Sequence, residues 1–207
     1  MRHREIADIP SPIDLRTMSD ASTWEETATA KRPWREEFFS RIVSEISAGG
    51  RARCVLELGS GPGFLACRVI AALGDVKYTL LDFSGAMHQL AQRRLGELSR
   101  RARFITADFK SGDWSGRLGQ FSCVVTMQAV HELRDKAHAP TLHAQVRSIL
   151  APEGQYLVCD HYCGVGGMSN GDLYMTVEEQ RTALELAGFG NVSELLRKGG
   201  LVLHNAG

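Results

Sequence analysis

The sequence predicts an α/β fold in which a parallel sheet, flanked by helices, is closed by an antiparallel hairpin. Three observations carry this. Between residues 54 and 160, short apolar runs alternate with segments of helical periodicity, the rhythm of successive βαβ units. Gly59, Gly61 and Gly63 stand directly between the first run and the first of those helices. The last two apolar runs, Asn191 to Leu196 and Leu201 to Asn205, flank Lys198-Gly199-Gly200. That spacing is too short for a crossover helix, so these strands must be antiparallel.

Taken in order, the first eighteen or so residues read as an irregular arm, and the polar segment from Ser19 to Arg32 as a further helix. From Pro33, Trp34, Phe38, Phe39, Ile42, Val43 and Ile46 fall on one stripe of an amphipathic helix, with proline at its start and Gly49-Gly50 at its end. Strands are expected at Cys54 to Leu58, Lys77 to Leu81, Ala102 to Ala107, Phe121 to Met127 and Gly154 to Asp160. Helices fall between them: one to Leu73, one from Ser84 to Leu98, and one around Leu142, Val146, Ile149 and Leu150. Pro152-Glu153-Gly154 reads as the turn into the fifth strand. After a glycine-rich loop at Gly164 to Gly171, Thr176-Val177-Glu178-Glu179 has capping-box spacing, and Gly188 stands where a left-handed cap would close that helix.

Composition bounds the function classes. A chain of 207 residues can bury one full core, and the absence of repeats points to a single domain over 1–207, with 1–48 as N-terminal arm and lid helices and 49–207 as core. No run approaches the roughly 20 apolar residues that a membrane span needs, so no membrane association is expected. The formal charge is zero, leaving no global field for nucleic acid, and the arginines at 93, 94, 100 and 101 read as the solvated face of a helix. The opening Met1-Arg2-His3-Arg4-Glu5-Ile6 has no export signal. The five cysteines form no Cys-x-x-Cys pair, which fits a reducing cytoplasm, and no metal site is expected.

The glycine turn reads Glu57-Leu58-Gly59-Ser60-Gly61-Pro62-Gly63, with Phe64 where a dinucleotide fingerprint would place its third glycine. Glycine there allows positive φ and close approach of backbone to a ligand. Asp82 ends the second strand, where a carboxylate can accept hydrogen bonds from both hydroxyls of a ribose. These features alone fit a nicotinamide cofactor as well as another nucleoside. Glu57 before the turn and Asp108 after the third strand add two acids at the carboxyl edge of the sheet.

At these residues the chain resembles the class I S-adenosylmethionine-dependent methyltransferases, from Val55 to the closing hairpin. The resemblance implies a Rossmann-like seven-stranded sheet of order 3-2-1-4-5-7-6, with strand 7 antiparallel and helices on both faces. It implies that Glu57, Gly59, Ser60 and Gly61 hold the methionine part of the cofactor. Asp82 would grip the ribose within a D-x-S-x-x-M string, Phe83 and Met87 would flank the adenine, and Asp108 would receive the adenine amino group beside Phe109. Gln128 matches a segment bordering methionine and substrate. The Asn/Asp-Pro-Pro-Tyr/Phe string of enzymes that methylate nucleic-acid bases is missing from Met127-Gln128-Ala129-Val130, which turns the expectation to a small-molecule acceptor. The paired cysteines of arsenic methyltransferases are missing too, Cys163 being the one cysteine in a loop at that edge.

In that strand order, His131-Glu132 and Asp160-His161 converge at the carboxyl edge, making His131 and His161 the candidate general bases. The lid should come from the N-terminal helices and the loop Tyr162 to Met175. So little covering material implies a small substrate or a pocket completed by a second subunit. Two other readings stay open at this point: a nicotinamide-dependent oxidoreductase, and a non-catalytic nucleoside-binding module.

Overall fold

A computed structural model describes residues 7–49, 54–116 and 118–207. The opening Met1 to Ile6 segment and Gly50 of the helix-ending glycine pair lie outside the described residues. Seven strands form one sheet: β1 (Cys54–Leu58), β2 (Lys77–Asp82), β3 (Ala102–Thr106), β4 (Phe121–Met127), β5 (Leu150–His161), β6 (Val192–Lys198) and β7 (Leu201–Ala206). Their order is β3-β2-β1-β4-β5-β7-β6, parallel from β3 to β5, with β7 antiparallel to both its neighbours. Gly199 and Gly200 both have positive φ, 56° and 77°. That pair makes the tight turn whose twist suits a two-residue hairpin.

Alternation along β1 explains the two layers. Val55 packs with α2 (Arg35–Ala48), α3 (Phe64–Ala72) and α4 (Gly85–Leu95) on one face, through Phe38, Ile42, Leu65, Val69, Ala91 and Leu95. Leu56 and Leu58 face α5 (Ala139–Ile149) and α6 (Val177–Leu186) through Leu142, Val146 and Leu184. Helix α1 (Met18–Lys31) lies over α4, where Ala21 and Trp24 meet Ala86, Met87 and Leu90. The capping box of α6 is present, with Thr176 and Glu179 each bonding the other's backbone N–H, and Gly188 has φ 94°.

Several boundaries differ from the sequence expectation. The helix expected from Ser84 to Leu98 is α only to Leu95. Gly96 turns to φ 52°, and the segment Gly96–Arg101 continues as a 3₁₀ helix. Helix α2 starts at Arg35 rather than Pro33. Strand β5 begins at Leu150, not Gly154, because Leu150 pairs with Phe121 and a bulge absorbs the expected turn, with Glu153 at φ 60°. The arginines read as a solvated face divide. Arg94 lies 3.7 Å over the Phe64 ring and bonds Glu25 and the Pro62 carbonyl, while Arg101 caps the carbonyls of Ile70 and Leu73. No helix among the described residues is long and apolar enough to cross a membrane.

Candidate active site

A cleft of about 810 Å³, open to solvent, lies at the carboxyl ends of β1, β2, β4 and β5. This is where a doubly wound sheet binds ligands, beside the switch in strand order between β1 and β4. Its lining includes Glu57, Gly59, Ser60, Gly61, Asp82, Phe83, Met87, Phe109, Gln128, His131 and His161. Asp108 is exposed and bonds the Lys110 backbone N–H. It lines an adjoining cavity that shares Leu15, Phe83, Phe109 and Glu132 with the first.

At one end the glycine turn leaves β1 with Gly59 at φ 64°, and a Cβ there would lie 2.4 Å from the Ala129 Cβ. Only glycine fits that contact, so β1 and the loop after β4 close together at the floor of the cleft. Asp82 accepts hydrogen bonds from the Gly61 and Ser84 N–H groups at 2.8 and 2.9 Å, one on each oxygen. Burial raises its pKa to about 6 against those two donors. Because side chains alternate across a strand, Glu57 shares a face with Tyr78, whose hydroxyl donates to it at 2.9 Å. Burial pushes the Glu57 carboxyl up to about 8. The Ser60 hydroxyl, 5% exposed, has no partner among the described residues.

The other end is built by the loops after β4 and β5. Gln128 takes φ 60° and anchors its N–H on the Cys159 carbonyl at 2.7 Å. Its side-chain nitrogen lies 2.9 Å from His161 Nε2, while its Oε1 has no partner among the described residues. Asp160 binds His131 twice: Oδ1 lies 2.6 Å from Nδ1, and Oδ2 accepts the backbone N–H at 2.7 Å. His131 Nε2 is 3.4 Å from Glu132 Oε1. The His131 and His161 rings sit 5.4 Å apart, with Tyr174 against both.

The two imidazoles are electrostatic opposites. Burial works against protonation of His131, but the Asp160 and Glu132 carboxylates outweigh it and raise its pKa to about 10. Burial dominates at His161, which falls to about 4 despite Asp160. His131 is therefore an imidazolium and His161 a neutral ring at pH 7.

The N-terminal segments supply residues that the sequence reading did not include. Trp24, Arg32, Arg35 and Phe39 line the cleft. The arm lies against the adjoining cavity. There Arg134 bonds the Ile9 and Pro10 carbonyls, the Ser84 hydroxyl donates to the Leu15 carbonyl, and Arg16 stacks 4.7 Å from the Phe83 ring. The Lys31-Arg32-Pro33-Trp34-Arg35 cluster was the only visible signal, and it gave no direction for these side chains.

Comparison with known proteins agrees with this geometry. Residues 55–154 match a family model described as a methyltransferase domain. A stretch of 63 residues is 35% identical to clavatol synthase claF of Penicillium crustosum, covering 28% of this chain and 2% of that protein. The chain thus spans a small fraction of that curated relative. Its fold resembles an O-methyltransferase family protein of Burkholderia thailandensis (TM-score 0.72, 15% identity, 93% of this chain and 63% of the other). It also resembles DhpI solved with S-adenosylhomocysteine (TM-score 0.70, 19% identity, 92% and 94%). The glycine turn, the strand-end acid and the 3-2-1-4-5-7-6 sheet agree with the matched model: residues 55–154 carry a methyltransferase domain, within a fold shared with known methyltransferases.

Proposed function

We propose that the protein transfers a methyl group from S-adenosylmethionine to a small-molecule nucleophile by in-line displacement, with His131 holding the nucleophile's proton. The observation that carries this reading is the single cleft that joins the glycine turn and Asp82 to the His131–Asp160 pair. The residues present fit the cofactor. Asp82 keeps lone pairs free for two ribose hydroxyls, and the partnerless Ser60 hydroxyl and Gln128 carbonyl need hydrogen-bond partners that protein does not supply. Phe83 and Phe109 offer apolar surface beside Asp108 for an adenine. When bound, the cofactor supplies an activated methyl group on a sulfonium.

The nucleophile's electron pair forms the bond to the methyl carbon as the carbon–sulfur bond breaks, and the pair from that bond returns to sulfur. Any proton on the nucleophile passes to Nε2 of the minor neutral form of His131, a fraction that grows as pH rises towards about 10, and Asp160 stabilises the resulting imidazolium from the opposite nitrogen. Acceptors with protons as acidic as a phenol or an enol suit a base of this strength. His161 is a poor base at neutral pH and orients Gln128 instead. In the same reading, residues 1–48 form an arm and lid over the 49–207 core. The acceptor enters beside Tyr174, and the protein works in the cytoplasm, as the five free cysteines favour.

Calorimetry with S-adenosylhomocysteine, and radiolabelled methyl transfer into a metabolite extract, test this reading. Heat of binding and a labelled product are expected. No heat with this ligand, or heat with NADH in its place, would refute it.

A further inference from the structure

The cleft contains two guanidinium groups that no carboxylate contacts among the described residues. Arg35, the first residue of α2, is 6% exposed. Its guanidinium carbon lies 5.7, 5.2 and 5.2 Å from the ring centroids of Trp24, Phe39 and Phe64, and its Nε has no partner. Arg32, three residues earlier, is half-buried in the same cleft. Neither side chain makes an ion pair or hydrogen bond among the described residues. An unpaired buried cation is costly to keep. Burial, with the neighbouring Arg32, draws the Arg35 pKa down to about 10, against the weaker pull of the Glu57 carboxyl, which it does not contact.

The acids nearby are already committed. Asp160 takes His131 and two backbone N–H groups, and Glu132 lies between His131 and Arg134. Asp82 takes two backbone N–H groups, and Glu57 is bonded to Tyr78. None of these acids contacts either guanidinium, so a carboxylate that pairs with one comes from a ligand.

The two arginines line one cleft but have different neighbours. Arg35 stacks on Phe64, the first residue of the nine-residue α3, where the helix N-terminus adds positive potential beside the glycine turn. S-adenosylmethionine brings one carboxylate, on its methionine part, and this end suits it. Arg32 exerts its charge on His161 and Tyr174, the groups that face His131 from the far wall. One cofactor carboxylate answers one guanidinium, leaving the other open at the acceptor end.

We propose that the methyl acceptor is itself an anion, a small molecule whose carboxylate pairs with Arg32 beside His131. The inference rests on the methyl-transfer reading and adds to it the charge class of the substrate. A guanidinium offers two parallel N–H donors to a carboxylate, so it selects a carboxylate over its uncharged amide and fixes the molecule's orientation. With that end anchored, the nucleophilic atom is presented to the His131 side of the cleft.

The test uses the full chain loaded with S-adenosylhomocysteine and two probe pairs matched in shape, benzoate with benzamide and acetate with acetamide. Calorimetry should show at least one carboxylate binding about tenfold or more tighter than its amide. Arg32→Gln should abolish that preference while leaving S-adenosylhomocysteine affinity within about twofold, which also shows that the variant is folded. Arg35→Gln should weaken S-adenosylhomocysteine itself about tenfold or more. Equal binding within both pairs, including no binding of any probe, overturns the proposal. So does a preference that survives Arg32→Gln, or a loss of cofactor affinity in Arg32→Gln equal to that in Arg35→Gln. Failure of the unmodified protein to bind S-adenosylhomocysteine would instead remove the methyl-transfer reading, and this inference with it.

Discussion

Replacing Asp160 with asparagine separates the charge of the His131 partner from its shape. His131 stands at about 10 against an ordinary 6.5, a difference that favours its protonated form by several kcal/mol. Burial opposes that rise, so the carboxylates of Asp160 and Glu132 supply more than the net shift, and Asp160 contributes most. Asp160→Asn keeps the size of the side chain and removes the charge, so the His131 pKa should fall by at least about 2 units. Histidine side-chain NMR across pH 5 to 11 reads this directly.

The sign of the stability change follows. The raised His131 pKa contributes stability that is full below about 6.5 and lost as pH rises through about 10. The pKa of Asp160 is held below 3.8: burial raises it, but His131 and its hydrogen bonds outweigh that. Its contribution is present above about 3.8 and lost as pH falls through the lower folded value. Denaturation curves of wild type and Asp160→Asn should therefore differ most between about pH 4 and 6.5 and converge towards pH 11. Once an acceptor is in hand, the maximal transfer rate should drop about 10²-fold or more in the variant, with the acid limb of the pH profile moved to lower pH. A His131 pKa that moves by less than one unit would show that Asp160 does not set its charge.

Glu57 gives a second measurement. Its folded pKa of about 8 exceeds the ordinary 4.5, so the native state holds a proton that the unfolded chain has released, and ligand-free stability should decline as pH rises from about 4.5 through 8. Glu57→Gln should flatten that decline in urea denaturation, and identical slopes in the two proteins would count against the assignment. For Asp82, with a pKa of about 6, ligand-free protein should lose S-adenosylhomocysteine affinity by up to about tenfold per unit as pH falls below 6. Asp82→Asn should bind weakly and without that pH dependence in calorimetry; a wild-type affinity that is level from pH 7 to 5 would contradict this.

Much of the cofactor end was legible in the sequence because it is local. Gly59 to Gly63 and Asp82 belong to one βαβ unit, where strand, turn and helix fix their relative placement within about 30 residues. The closing hairpin was legible for the same reason, since the four residues between two apolar runs leave the chain no other geometry. The ends of α4 and β5 were not. A glycine at 96 can sit in a helix or break it, and whether Leu150 joins the sheet depends on Phe121, twenty-nine residues away in the chain. Asp108 followed its strand as expected, yet its carboxylate turned to the Lys110 N–H at the rim, a choice between local hydrogen bonds that the pattern does not encode.

By itself, then, the sequence determined the alternation of strands and helices, the turn that demands glycine, and the acids at the strand ends, all consequences of short-range periodicity and backbone sterics. Only the tertiary structure decided the charge states. His131 and His161 are both histidines in loops after strands, and they differ because Asp160 bonds the first ring while burial governs the second. Arg32 and Arg35 lie more than ninety residues from His131 in the chain, and they enter the cleft because α2 packs its phenylalanines onto the same sheet face as β1. Burial and Coulomb interactions depend on distance in space, and that distance is set when the sheet closes.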